Sequence, residues 1–222
     1  ALINDSIDVI TGVKIISLYG EKKKPSPNNL EGIDVLVFDI QDIGSRSYTY
    51  ISTMGLVMGA AAENKKAVVI LDRPNPLGGN RIEGSIVEDG YYSFVSQFAI
   101  PYVHGLTVGE LARLLNEEGL LENKAKCKLG VVPMEGWTRD MYFEQTKLPW
   151  ILTSPHIPHK YSPFYYTISG ILGELNGVLS IGVGYTLPFQ TFATEWINGE
   201  ELANKMNSFN LEGVIFRPIT YQ

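Results

Sequence analysis

The sequence predicts an α/β fold in which a mostly parallel sheet is covered by helices, and three observations carry that prediction. Two short apolar runs, DVLVFD at 34–39 and AVVILD at 67–72, are nearly continuous, as in strands buried on both faces. Between them lies a segment of helical period, and a capped helix follows the second run. Strand and helix signals therefore alternate, which is the mark of βαβ units.

The elements follow in order. KIISLY at 14–19 reads as a short strand ended by Gly20. After the strand at 34–39, apolar Ile51, Met54, Met58 and Ala61 recur at three- and four-residue spacing, which predicts a helix over 48–64. The strand at 67–72 completes one β-α-β unit. Residues 73–105 read as loop. Thr107 and Glu110 form a capping box, Val108, Leu111, Leu114 and Leu115 make the buried stripe, and Gly119 suits the position just past the helix end. Residues 129–134 read as another strand. Pro, His and aromatic residues accumulate over 137–163, which suggests a boundary between a domain at 1–136 and a smaller one at 137–222. In the second, Ser162-Pro163 opens a helix with Ile168, Ile171, Leu172 and Leu175 inward, ended by Asn176-Gly177. Residues 178–183 and 214–217 read as strands, with an Asn198-capped helix bearing Leu202, Met206 and Phe209 between them.

With 222 residues and 45% hydrophobic content, the chain can bury a real core. The net charge of -6 argues against nucleic acid and anionic membrane surfaces, which need clustered Lys and Arg. Lys22 to Lys24, beside Pro25 and Pro27, reads as a solvated loop. A single cysteine, Cys127, excludes an intrachain disulfide and a thiolate metal cluster. No apolar stretch is long enough to span a bilayer, and no signal peptide is visible.

Ligands of open α/β sheets bind at the carboxyl ends of the strands. The first apolar run leads into Asp39, Asp42, Arg46, Tyr48 and Tyr50, the second into Asp72, Arg73 and Asn75. Carboxylates, guanidinium groups and an amide converging on one rim suit a polyhydroxylated or carboxylated ligand. An Asp after a strand also serves as an N-cap, and an Asp–Arg pair as a scaffold salt bridge. Glu83 follows Gly78-Gly79 on what reads as a flexible turn. It is the candidate for one of the two carboxyl groups a glycosidase requires. His104 precedes the capped helix and could touch substrate or bond only to backbone. His156 and His159 lack a third ligand and are separated by Pro158, so no metal site is expected. Gly182-x-Gly184 is followed by Leu187 where a dinucleotide fingerprint needs Gly or Ala, and no P-loop or G-x-S-x-G elbow is present. No cofactor is expected. Trp137 and Trp150 could stack on sugar faces or pack in the core.

At these residues the chain resembles a known family. VFDIQDIGSRSYTYISTM (37–54), LDRPNPLGG (71–79), IEG (82–84), HGLTVGELA (104–112) and LPWILTSPHIP (148–158) resemble, in order, hallmark stretches of the exo-β-N-acetylmuramidases, long known only as a domain of unknown function. The resemblance implies a Rossmann-like α/β domain joined to a smaller C-terminal domain. Family members continue beyond this chain at both ends, so it implies that the first domain is incomplete at its N-terminus and the second truncated. It implies removal of terminal N-acetylmuramic acid from the non-reducing end of peptidoglycan fragments, in the periplasm or outside the cell. Glu83 matches one of two proposed catalytic glutamates. Asp39, Asp42, Arg46, Tyr48, Asp72, Arg73, Asn75 and His104 match rim positions that would bind the saccharide, with Arg46 or Arg73 on its lactyl carboxylate. Three departures stand out. The family's Pro-Glu-His-Gly motif, with the other glutamate, is not in this chain. Its Ser-Glu-Gly-Arg-Gly-Thr pattern reads SIGVGY at 180–185, and its Asn-Met-Pro reads His156-Ile157-Pro158. The expected function is a muramic-acid-releasing glycosidase. The alternatives are a saccharide binder that lost the chemistry and a Rossmann-like nucleotide binder.

Overall fold

The structure, a computed structural model, describes residues 4–175 and 177–220. The polypeptide divides into two compact units, Ala1–Pro163 and Phe164–Gln222.

The first unit opens with two strands of two residues each, β1 (Ser6–Ile7) and β2 (Lys14–Ile15), paired antiparallel. The expected strand at 14–19 is cut to this stub because side chains compete for its backbone. Asp5 Oδ1 accepts from Ser17 N at 2.8 Å, and Ser17 Oγ accepts from Tyr19 N.

The main sheet has three parallel strands, β3 (Val35–Phe38), β4 (Ala67–Leu71) and β5 (Lys128–Val132), in that spatial order. Phe38 lies opposite Ile70, and Val69 opposite both Val37 and Gly130. The helix α1 (Tyr50–Glu63) crosses from β3 to β4, and α2 (Val108–Glu117) leads toward β5. Ile51, Met54, Met58 and Ala61 of α1 and Leu111 and Leu115 of α2 pack on Phe38, Val68 and Ile70 in one core. The capping box is present: Glu110 N donates to Thr107 Oγ1 at 3.2 Å and Thr107 N to Glu110 Oε2 at 3.0 Å. Gly119 takes φ +66°, as a position after a helix end requires.

One expectation about the sheet is corrected. Among the described residues, helices cover only one face. Val35, Val37 and Val132 point to the other face and are exposed, Val37 at 61%. The period of two explains this: α1 and α2 both contribute to the core on the side of Leu36, Phe38, Val68 and Ile70, leaving the alternate residues outside.

Residues 137–163, expected to open the second domain, are tied to the first unit. Phe143 N donates to the Pro76 carbonyl, Thr153 Oγ1 to the Gln41 carbonyl, and Tyr50 Oη to the Thr153 carbonyl. Ile157 is fully buried, and Trp150 donates to its carbonyl while stacking edge-on against Phe143.

α3 (Ser162–Ser169) starts where expected and runs into a 3-10 turn (Gly170–Glu174). The expected end at Asn176 lies outside the described residues. Its packed side differs from expectation: Ile168, Ile171 and Leu175 are exposed. The close contacts are made by Tyr166, Ser169 and Gly173 instead. Ser169 Oγ donates to the Phe189 carbonyl at 2.7 Å, Tyr166 meets the Phe189 ring, and a Cβ on Gly173 would fall 2.6 Å from Ile181. Small residues let Phe189 and Ile181 approach closely, and this close packing outweighs the wider apolar stripe.

The expected strands at 178–183 and 214–217 form no ladder among the described residues. Ser180 makes a single bridge to Ala193. At Phe216 the Asn207 side chain stands in for a neighbouring strand, donating to its carbonyl at 2.8 Å and accepting from its amide at 2.9 Å. The helix α4 (Gly199–Asn207) is capped by Asn198, whose Oδ1 accepts from the amides of Glu200 and Glu201. No helix of the described residues is long and apolar enough to cross a membrane.

Candidate active site

The loop after β4 is built by side chains that satisfy its backbone. Asn75 Oδ1 accepts from Leu77 N at 2.9 Å, and its Nδ2 donates to the Leu106 carbonyl at 3.0 Å. Gln41 Nε2 donates to the Pro74 carbonyl at 2.8 Å, joining this loop to the one after β3. Further on, Glu83 and Val103 exchange backbone hydrogen bonds of 3.0 and 2.9 Å. Gly84 (φ +78°) passes so close to Tyr102 that a Cβ would fall 2.7 Å away. The turn expected to be flexible is therefore fixed, with the Glu83 side chain projecting from a bridged backbone.

That side chain lines an open cavity of about 520 Å³, with Leu77, Asn80, Arg81, Arg139, Asp140 and Tyr142 among its neighbours in the wall. The size falls within the range of small-molecule sites. Arg81 Nε lies 2.6 Å from Glu83 Oε1, and both side chains are about half exposed. Arg139 is consumed by structure: its Nη1 meets Glu110 Oε1 at 2.6 Å, and its Nη2 donates to the carbonyls of Gly79 and Gly105. Asp140 accepts from Thr138 Oγ1, which holds its carboxyl below the usual range.

The other residues singled out from the sequence divide into two groups. Asp39 and Arg73 form an exposed pair at the carboxyl end of β3 and β4, with Nη2 to Oδ1 at 2.6 Å. They lie outside the wall of the Glu83 cavity. The remainder serve the scaffold. Asp72 accepts from Thr107 Oγ1 and Gly109 N, each at 2.8 Å, and so clasps β4 to the start of α2. Arg46 is buried, and its Nη1 donates to the carbonyls of Ser85 and Ile100. Asn75 is 3% exposed. Asp42 and His104 are buried together, with His104 Nε2 3.5 Å from Asp42 Oδ2. Gly44 N donates to the same carboxylate oxygen, and Leu106 N donates to His104 Nδ1. Tyr48 is buried, which pushes its phenol far above the ordinary value. The single rim expected from Asp39, Asp72 and Glu83 is thus not formed as one cavity. The chain after each strand is used first to satisfy buried backbone, and only Glu83 of the set reaches the cavity wall.

Arg81 is not among the residues that the sequence marks for the site. Its signal was the spacing of two from Glu83, which puts alternate residues of an extended chain on one side. Arg139, Asp140 and Tyr142 gave none, being brought in by tertiary contacts of a remote segment. Among the described residues no group of three or more His, Cys, Asp or Glu is placed to hold a metal ion. Gly182 is explained by a tight turn: at φ +75° its Cβ would lie 2.3 Å from Thr191 Oγ1.

Residues 1–161 match the family described as exo-beta-N-acetylmuramidase NamZ, N-terminal, and residues 164–222 match its C-terminal counterpart. The chain is 46% identical to the peptidoglycan beta-N-acetylmuramidase NamZ of Bacillus subtilis (strain 168), over 97% of this chain and 50% of that protein. A crystal structure of a DUF1343 family protein from Bacteroides fragilis superposes with a TM-score of 0.90 at 59% identity, covering 98% of this chain and 56% of that one. A second DUF1343 protein from the same organism gives 0.76 at 40% identity, over 87% and 51%. The chain spans about half the length of the relatives it matches. The division at 163/164 agrees with the limits of the two family matches. From both halves and from the superposed fold, the chain belongs to the exo-β-N-acetylmuramidase NamZ family.

Proposed function

We propose that this chain is part of a glycoside hydrolase that removes terminal N-acetylmuramic acid from the non-reducing end of peptidoglycan fragments. The observation that carries the reading is Glu83, a carboxylate on a fixed backbone in the wall of a cavity large enough for a sugar. Support comes from the 46% identity to a protein named for this activity. Glu83 supplies one of the two carboxyl groups that glycoside cleavage requires. Asp140, the other acid in the wall, accepts from Thr138 Oγ1, which lowers its carboxyl pKa. Asp39 and Arg73 are positioned to meet a longer saccharide at the sheet edge, while Asp42, Arg46, Tyr48, Asp72, Asn75 and His104 support the walls. Action on the cell wall would put the protein in the periplasm or outside the cell, which fractionation of the source cells would check.

The test is release of a chromophore from the β-glycoside of N-acetylmuramic acid by the gene product that carries this chain. Glu83→Gln should lower turnover by about 10²- to 10⁴-fold. Unchanged turnover would remove Glu83 from the chemistry. A second reading, a saccharide binder without turnover, is favoured by one observation. Where the family pattern has Glu and Arg, this chain has Ile181, buried against Gly173, and Val183. It predicts calorimetric binding of the sugar with no chromophore released.

A further inference from the structure

Muramic acid differs from glucosamine by a lactyl ether that ends in a carboxylate. A site for it must therefore present a cation where the sugar sits. The arginines that the sequence offered for this task are engaged elsewhere: Arg46 is buried on backbone carbonyls, and Arg73 pairs with Asp39 away from the cavity wall. Arg139 is in the wall but held by Glu110 and two carbonyls. Arg81 is different. A guanidinium has two edges that can each bind a carboxylate, one through Nε and one through the paired Nη groups. Glu83 occupies the Nε edge at 2.6 Å. Among the described residues no hydrogen bond engages the Nη edge, and the side chain is about half exposed in the cavity wall. Two acids, Glu83 and Asp140, also line that wall. They would repel an anionic sugar unless a cation received it.

We propose that Arg81 is the specificity-determining residue of this site: its Nη edge takes the lactyl carboxylate while its Nε edge keeps hold of Glu83. One guanidinium then fixes the sugar and the catalytic carboxylate relative to each other. The proposal rests on the reading of the cavity as a muramic-acid site, and it adds the residue that tells muramic acid from glucosamine.

The experiment uses the whole gene product that carries this chain. Calorimetry would measure the binding of free N-acetylmuramic acid and free N-acetylglucosamine to wild type, Arg81→Ala and Arg81→Lys, with circular dichroism confirming that each is folded. Chromogenic β-glycosides of the same two sugars would give the KM and kcat of each variant. Wild type should prefer the muramic sugar. Arg81→Ala should lose about 10- to 100-fold of that preference, expressed mainly in KM, as removing a charge-assisted bidentate contact does. Arg81→Lys should recover part of it, because a point charge replaces a fork. A preference unchanged in Arg81→Ala, with kcat for both sugars falling together, would overturn the proposal and leave Arg81 as a support for Glu83 alone. Wild type binding both sugars equally would overturn it as well. Wild type binding neither would sink the muramic-acid reading itself, and the two failures are thereby told apart.

Discussion

At the scale of single residues, the site is governed by what each polar group already holds. Asp42, Arg46, Asn75 and His104 were conspicuous in the sequence as polar residues after apolar runs, yet all are buried against backbone or one another. A sequence shows that a polar residue is present but not whether its hydrogen-bonding capacity is spent, which is why this part of the site could not be read in advance. Glu83 was legible because Gly78-Gly79 and Gly84 stand on either side of it, while its rigid mounting comes from the backbone bridge to Val103 and the close passage of Gly84 by Tyr102. A fixed backbone cannot follow a shortened side chain. Glu83→Asp should therefore cost about 100-fold in kcat, since a displacement of about 1 Å at a reacting group has that effect. Steady-state kinetics beside Glu83→Gln would measure it. Burial also pushes the Cys127 thiol up, and the residue is 8% exposed. The raised value means less thiolate at pH 8 in the folded chain than in the unfolded one. The stability that this neutral thiol contributes is present below the unfolded value and fades as pH rises through the folded one. A thiol reagent at pH 8 should label Cys127 slowly in the native chain and rapidly in urea.

At the scale of elements, β3, α1, β4 and α2 fall close to where periodicity and capping placed them, because each is specified locally. The capping box at Thr107 is a backbone–side-chain arrangement within four residues, and it forms as read. Elements that depend on a partner from elsewhere did not follow the sequence. Residues 214–217 have the composition of a strand, but Asn207 meets Phe216 in place of a ladder. The helix at Ser162 kept its start and turned a different side inward, because Gly173 and Ser169 admit Ile181 and Phe189 more closely than Ile168 or Leu175 could. The clasp between β4 and α2 gives a test. Asp72→Ala strips acceptors from Thr107 Oγ1 and Gly109 N and should lower stability by about 2 kcal/mol, read as a shift of the urea midpoint at constant slope.

At the scale of the whole molecule, the domain limit moved because the segment 137–163 is rich in Pro, His and aromatic residues that resemble a linker in composition. In place, they make tertiary hydrogen bonds and a packed Phe143–Trp150 pair within the first unit. Composition reports how often a residue type occurs in linkers, whereas the contacts that decide membership are long-range. The sheet carries a different lesson. Val35 and Val37 on one edge strand and Val132 on the other give the sheet water-facing β-branched side chains on either side of the part-buried Val69 of the middle strand. Handled by itself, the chain should be surface-active: it should brighten an anilinonaphthalene dye without unfolding and cluster as sulfate is added. A lysine in place of Val37 should quench both tendencies at a cost within about 0.5 kcal/mol, because little burial is forfeited at that position. Light scattering alongside thermal melts would record the trade.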